Sequence, residues 1–411
     1  MNVTARLLLA IIQGDPDAPA LVRADPEGVD WEGLEAATRT FRALTLENMH
    51  ATGLIPEVPQ ASLSRWEDGA RLEVLLHVRR QALIRSAIFL LSDAGIDVVF
   101  LKGVGLAHMS YPRPELRPMT DLDLWVGQTD VDRVGDALWP MGMTEPFRFQ
   151  AIPRVRGVLM LERPGTATLM ELHPAPDSLC DLWTPEELEA AWQRAIEIDV
   201  GGVTARVMAP EDLLIHTCLH LSYNHHFDLG IRPYIDVAML LKSHRPELDW
   251  NAVVERSVSH PETAVWMDVV LRTTSRLFGT DIPDHVTVAL GGSDGRVEMV
   301  DVATDLALSH RGLRGTFIGE LVSIPTLMGR FKAILRRGTI HYTESSFPNW
   351  VVQLAVDVFA RGPRQIGRWL RGGYDRRSLD ERRSQVERWE RLEALAMRDM
   401  GRSRGDSAGG S

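Results

Sequence analysis

Two stretches decide the fold: Phe100-Leu-Lys-Gly-Val-Gly-Leu106, then Arg117-Pro-Met-Thr-Asp-Leu-Asp-Leu-Trp-Val126. Val98 to Leu101 is a continuous apolar run, the pattern of a short strand covered on both faces. Lys102-Gly103 ends it, and a short helix to about Ser110 follows. Pro112, Pro114 and Pro118 make 111–119 a loop. From Thr120 to Val126 polar and apolar residues alternate, which turns Asp121 and Asp123 to one face of a strand and Leu122 and Leu124 to the core. Two carboxylates side by side repel each other. A hard cation between them removes that cost, and oxygen donors of this kind suit Mg²⁺ or Mn²⁺. By spacing alone, a pair of solvated acids on an exposed sheet face fits as well. The same spacing recurs at Asp15/Asp17, which reads as a turn, and at Asp130/Asp132, which reads as a helix start.

Leu169-Met-Glu-Leu-His173 alternates in the same way and places Glu171 and His173 on one face. If this strand neighbours the first acidic one, Glu171 joins Asp121 and Asp123. Three carboxylates can hold two metal ions about 4 Å apart, a geometry that activates an attacking oxygen and steadies a departing pyrophosphate. The Lys102-Gly103 turn adds backbone N–H groups and a positive charge for a phosphate.

Outward from this centre, the apolar residues between Ser64 and Ala94 recur at helical spacing until Gly95 stops them. Asp130 to Leu138 reads as a helix with acids in its first turn. Arg154 to Glu162 and Thr166 to His173 read as strands joined at Arg163-Pro164-Gly165. Beyond Pro185 the pattern is mostly helical, with starts at Pro185, Pro210 and Pro233. The expected organisation is an N-terminal helical region (1–94), an α/β core (95–182) and a second, mostly helical domain (183–290). A C-terminal helical region (291–400) with a charged helix at Leu379 to Met400 follows, then a disordered tail (401–411). The class is α+β, a small mixed sheet with flanking helices set between helical regions.

Composition bounds the rest. With 45% hydrophobic and 25% charged residues the 411-residue chain is neither disordered nor fibrous, and a net charge of −11 argues against indiscriminate nucleic-acid binding. Two cysteines, Cys180 and Cys218, form no CxxC pair, so a reducing, cytoplasmic setting is expected. The early apolar run Leu7 to Ile12 is too short for a signal sequence or a membrane span. The segment 326–377 carries ten basic and three acidic residues, with Phe331, Trp350, Phe359 and Trp369 among them. Such a segment reads as a solvated helix face, or as a surface for anionic lipid, RNA or an acidic partner.

Leu101-Lys-Gly103, Tyr111-Pro112, Arg117, Thr120-Asp-Leu-Asp-Leu124 and Glu171-Leu-His173 together resemble the uncharacterised nucleotidyltransferase family of the polymerase-β-like superfamily. The resemblance runs from about Leu75 to Leu241 and takes in Leu213-Leu-Ile-His-Thr-Cys-Leu-His220 and Ile231-Arg-Pro-Tyr-Ile-Asp236. It implies a polymerase-β-like sheet and transfer of an NMP from an NTP to a hydroxyl or similar acceptor, with pyrophosphate released. Asp121, Asp123 and Glu171 would be the catalytic metal ligands, with Mg²⁺ or Mn²⁺ as cofactor. Lys102 and Gly103 stand where the superfamily carries a Gly-Ser turn, and Glu171 stands where an Asp is usual. Lys102, Gly103, Arg117, Thr120 and His220 would contact the nucleotide, and the helical domain 183–290 would close over the nucleotide and substrate. Arg117 fits a pairing with a nearby acid as well. His216 and His220, four apart, have zinc-ligand spacing but lack the glutamate of an HExxH motif, so ordinary helix histidines are the plainer reading. Arg232 and Asp236 read as a helix ion pair. The resemblance leaves the acceptor open (small molecule, peptide or RNA). It also leaves room for a noncatalytic nucleotide-binding protein, or for a toxin-like transferase acting on tRNA or protein.

Overall fold

A computed structural model describes residues 1–127, 130–145, 158–163, 169–176, 182–225, 227, 229–244, 247–292, 296–308, 387–388 and 391–400. The expectations for 326–377, for 401–411, for the start of the Arg154 strand and for Cys180 lie outside these residues, as does part of the Leu379 to Met400 helix; its described parts, 387–388 and 391–400, are helical.

The sheet is mixed, six-stranded and flanked by helices, as an α+β class requires. Its strands are β1 (Val98–Phe100), β2 (Asp121–Val126), β3 (Leu159–Glu162), β4 (Leu169–His173), β5 (Ile196–Asp199) and β6 (Thr204–Val207), in the order β3-β4-β2-β1-β6-β5. β2 runs antiparallel to β1 and parallel to β4, and β1 runs parallel to β6. The 183–290 stretch, read as helical, therefore also contains a hairpin. Ile196-Glu-Ile-Asp199 alternates, Gly201-Gly202 turns at positive φ, and Thr204-Ala-Arg-Val207 returns antiparallel.

Period-two alternation gives this sheet two different faces. Leu122, Leu124 and Val126 of β2 and Met170 and Leu172 of β4 are buried on one face. They share a core with Ile84, Ala87 and Leu91 of the long Gln60–Asp93 helix and with Val131, Val134 and Leu138. Burying each such side chain contributes roughly 1.5–3 kcal/mol, which fixes the register of β2 against a one-residue slip. On the other face Val99, Leu101 and Trp125 join a second core. That core runs through the N-terminal helices (Leu7, Leu8, Ile11) and the later helices (Leu213, Leu214, Val269, Leu306).

The Gln60–Asp93 helix ties these layers together. Trp66 is fully buried and donates from its indole N–H to Thr38 Oγ1 at 2.8 Å. The Glu73 carboxylate accepts from the amides of Arg42 and Ala43 at 3.1 and 2.8 Å. It thereby caps the Arg42–Ala51 helix, whose own N-cap, Phe41, has no polar side chain to offer. Asp212, fully buried at the start of the Pro210–Leu219 helix, takes a bidentate pair from Arg194 and a further bond from Arg256. No helix among the described residues is long and apolar enough to cross a membrane.

Candidate active site

Asp123 and Glu171 are register partners on the parallel strands β2 and β4, so their side chains leave the same face side by side. Asp121 stands two residues earlier on that face, opposite Leu169, and accepts from Thr120 Oγ1 at 3.1 Å. His173, opposite Trp125, shares the face too. Its Nε2 lies 3.0 Å from Asp123 Oδ1 and 3.5 Å from Glu171 Oε2. One ligand atom from each of Asp123, Glu171 and His173 lies within 4.8 Å of the other two.

β1 ends beside this cluster, where the Leu101 amide donates to the Asp123 carbonyl at 2.9 Å. The chain then turns through Lys102 at φ 42°, ψ −99°, a conformation that L residues rarely adopt, and enters the Gly103–Met109 helix. The turn directs Lys102 Nζ to 3.2 Å from Asp123 Oδ1. Gly103 leaves room there: a Cβ would stand 3.0 Å from the Arg117 guanidinium and from Met119, and those side chains would have to shift.

The electrostatics follow from burial and crowding. Burial and then the neighbouring charges of Asp123 and Glu171 raise the pKa of Asp121 against the pull of Lys102. Burial acts the same way on Asp123, but the Lys102 charge and the His173 hydrogen bond outweigh it and hold that carboxyl well below the usual range. Burial would discharge Lys102 and His173. The carboxylates of Asp123 and Glu171 overrule it and raise both pKa values.

The other expected nucleotide contacts are placed differently. Arg117 is buried and bidentate to Asp236, with Nε to Oδ1 and an Nη to Oδ2 both at 3.0 Å. Tyr111 donates its hydroxyl to Asp236 at 2.8 Å. Asp236 thus pairs across the fold, and the helix ion pair expected between it and Arg232 is not formed. Arg232 donates instead to the Pro118 carbonyl. His220 begins a wider, i→i+5 turn, His220–Asn224, that prolongs the Pro210–Leu219 helix, and its ring is 5.9 Å from His216 and 4.4 Å from His225. Burial, followed by the charge of Lys102, lowers its pKa well below the ordinary value, with His225, His216 and His173 adding to the effect. His220 therefore feels the charges of Lys102 and His173 beside the acid cluster. His226 lies outside the described residues. Cys218 is buried in the core, and burial pushes its thiol far up.

Sequence reasoning gave His173 little weight, although its alternation with Glu171 marked the shared face. It gave none to Arg80, which feels the charge of Asp121. No pattern in the sequence of the long helix signals that position.

Two carboxylates and an imidazole converging within 4.8 Å form a donor set that fits a divalent cation. A small mixed sheet with strand acids facing a Lys-Gly strand-to-helix turn is a nucleotidyltransferase scaffold. The family of uncharacterised nucleotidyltransferases matches residues 27–278, more than half the chain, and the chain belongs to that family. The match extends beyond the Leu75 to Leu241 resemblance on both sides, into the N-terminal helices and to the end of the Pro261–Phe278 helix. No curated protein and no solved structure matches the chain.

Proposed function

We propose that this protein moves an NMP from an NTP to a hydroxyl or similar acceptor, with Asp121, Asp123 and Glu171 as the metal-binding catalytic acids. In the reaction an acceptor hydroxyl gives up its proton to water, its oxygen bonds to the α-phosphorus, the bond from that phosphorus to the bridging oxygen breaks, and pyrophosphate leaves with the electron pair. Bound Mg²⁺ or Mn²⁺ would supply Lewis-acid polarisation of the phosphates and acidify the acceptor hydroxyl. The chain's own groups do the remainder. Asp123 stays ionised because Lys102 and His173 favour its charged form. His173, hydrogen-bonded within the acid pair, fixes the orientation of both carboxylates. Lys102 and the Gly103 turn offer charge and close backbone approach to the phosphates, and Thr120 orients Asp121. The Arg117–Asp236 pair holds the 111–119 loop against the Arg232–His244 helix, which brings His220 and the helical region over the site.

The observation that carries this reading is the register pairing of Asp123 with Glu171 on adjacent parallel strands, with Asp121 on the same face. α-Labelled NTPs offered with a broad acceptor panel test it. Label should transfer with pyrophosphate release in the native protein and should fail to transfer in the Asp121→Ala/Asp123→Ala variant. Equal consumption by the variant would refute the assignment.

One feature favours a second reading, a noncatalytic nucleotide-binding protein: Asp123 is only 5% exposed and already bonded to both Lys102 and His173. Tight NTP binding by calorimetry without turnover on any acceptor would select it. A toxin-like role on tRNA or protein rests on the 326–377 segment. Loss of RNA modification on deleting 326–411 would support that role. A cytoplasmic setting belongs to the same proposal.

A further inference from the structure

The cations around the acid face differ in whether their charge is already engaged. Lys102 is 3.2 Å from Asp123, Arg117 is bidentate to Asp236, and Arg232 donates to the Pro118 carbonyl. Among the described residues Arg80 is the exception, making no hydrogen bond and no ion pair with any of them. It projects from the Gln60–Asp93 helix one turn before Leu83 and Ile84, which are buried against the sheet. Its side chain is half-buried and close enough to Asp121 to feel that charge. Taking a guanidinium partly out of water without a partner is costly, and the field of Asp121 only partly offsets the effect of burial on it. A fixed fork of donors in such a position suits a phosphate, which it can bind through two parallel hydrogen bonds.

We propose that Arg80 binds the polyphosphate of the nucleotide and brings, from a helix outside the α/β core, the positive charge that Arg117 spends on Asp236. The ligand class is an oligophosphate, and the assignment rests on the nucleotidyl-transfer reading of the acid face. Arg80 would then lock the long N-terminal helix to the substrate, so that the 27–94 part of the family unit takes part in binding as well as in packing.

Calorimetric titration with ATP, GTP, CTP and UTP, and separately with inorganic tripolyphosphate, tests this in saturating Mg²⁺ on the full-length protein. Native protein, Arg80→Ala and Arg80→Lys are compared, with melting curves to show that each is folded. The expected result is at least about a tenfold loss of affinity for both the preferred NTP and tripolyphosphate in Arg80→Ala, with part of it regained in Arg80→Lys. NTP binding that is equal in native protein and Arg80→Ala overturns the assignment and leaves the nucleotidyl-transfer reading intact. Tripolyphosphate binding that depends on Arg80, with no NTP bound, keeps the oligophosphate site and removes the nucleotide reading. Native protein that binds neither ligand refutes both.

Discussion

Two buried polar clusters flank the 111–119 loop, and they are built to opposite specifications. In one, Asp236 accepts both prongs of Arg117 and the Tyr111 hydroxyl, so its charge is matched and its lone pairs are used. In the other, Asp121, Asp123 and Glu171 share one face with Lys102 and His173, and burial and mutual repulsion still raise the pKa of Asp121. The first cluster is a finished strut between the sheet domain and the helical region. The second is short of positive charge, and its donor set fits a cationic ligand. A saturated ion pair adds rigidity, whereas an unbalanced one adds affinity.

The largest expected effect separates them by stability. Arg117→Ala leaves Asp236 buried without its counter-charge and should cost about 3–5 kcal/mol in urea unfolding. The Arg117→Met/Asp236→Leu double variant, which removes both charges, should recover most of that loss. A double variant as unstable as the single one would mean that packing, and not charge balance, holds the strut. Asp123→Asn should cost less, about 1–3 kcal/mol, because Lys102 keeps Glu171 and Asp121 near its charge. Equal losses for Arg117→Ala and Asp123→Asn would erase the distinction between the clusters.

The smallest effect is in the pH profile. Burial lowers the pKa of His77, His108 and His220 below the ordinary value of about 6.5. The unfolded chain therefore takes up protons that the folded chain resists. The contribution of these groups is full above about pH 6.5 and falls as pH drops from there toward the folded-state values. His173 has the opposite sign: its raised pKa adds stability at low pH that is lost as pH rises through the folded value. His77→Leu, which removes one of the lowered groups, should lessen any fall of the urea midpoint between pH 7.5 and 5.5. An unchanged slope in that variant would show that His77 contributes nothing to it.

The sequence made the acidic strands readable because each is covered by core on one face, so alternation alone separates Asp121, Asp123 and Glu171 from Leu122, Leu124, Met170 and Leu172. The helix starts at Pro185 and Pro210 were equally legible, the first through a Thr184–Glu187 capping box. The β5–β6 hairpin was missed although Gly201-Gly202 marks its turn, because the Pro-initiated helices around it dominate the pattern. Long-range partners were beyond reach. That Asp236 belongs to Arg117, 119 positions away, and not to Arg232 one turn away on its own helix is decided by packing and leaves no local trace. Arg80 was invisible for the same reason, since the role proposed for it comes from having no partner among the described residues.

Binding of Mn²⁺ followed by electron paramagnetic resonance, on native protein and on Glu171→Gln, tests the central claim most directly. Native protein should bind the ion, and Glu171→Gln, which keeps the shape and removes one charge, should bind at least about tenfold more weakly. Identical binding curves for the two proteins would contradict a metal site built across β2 and β4.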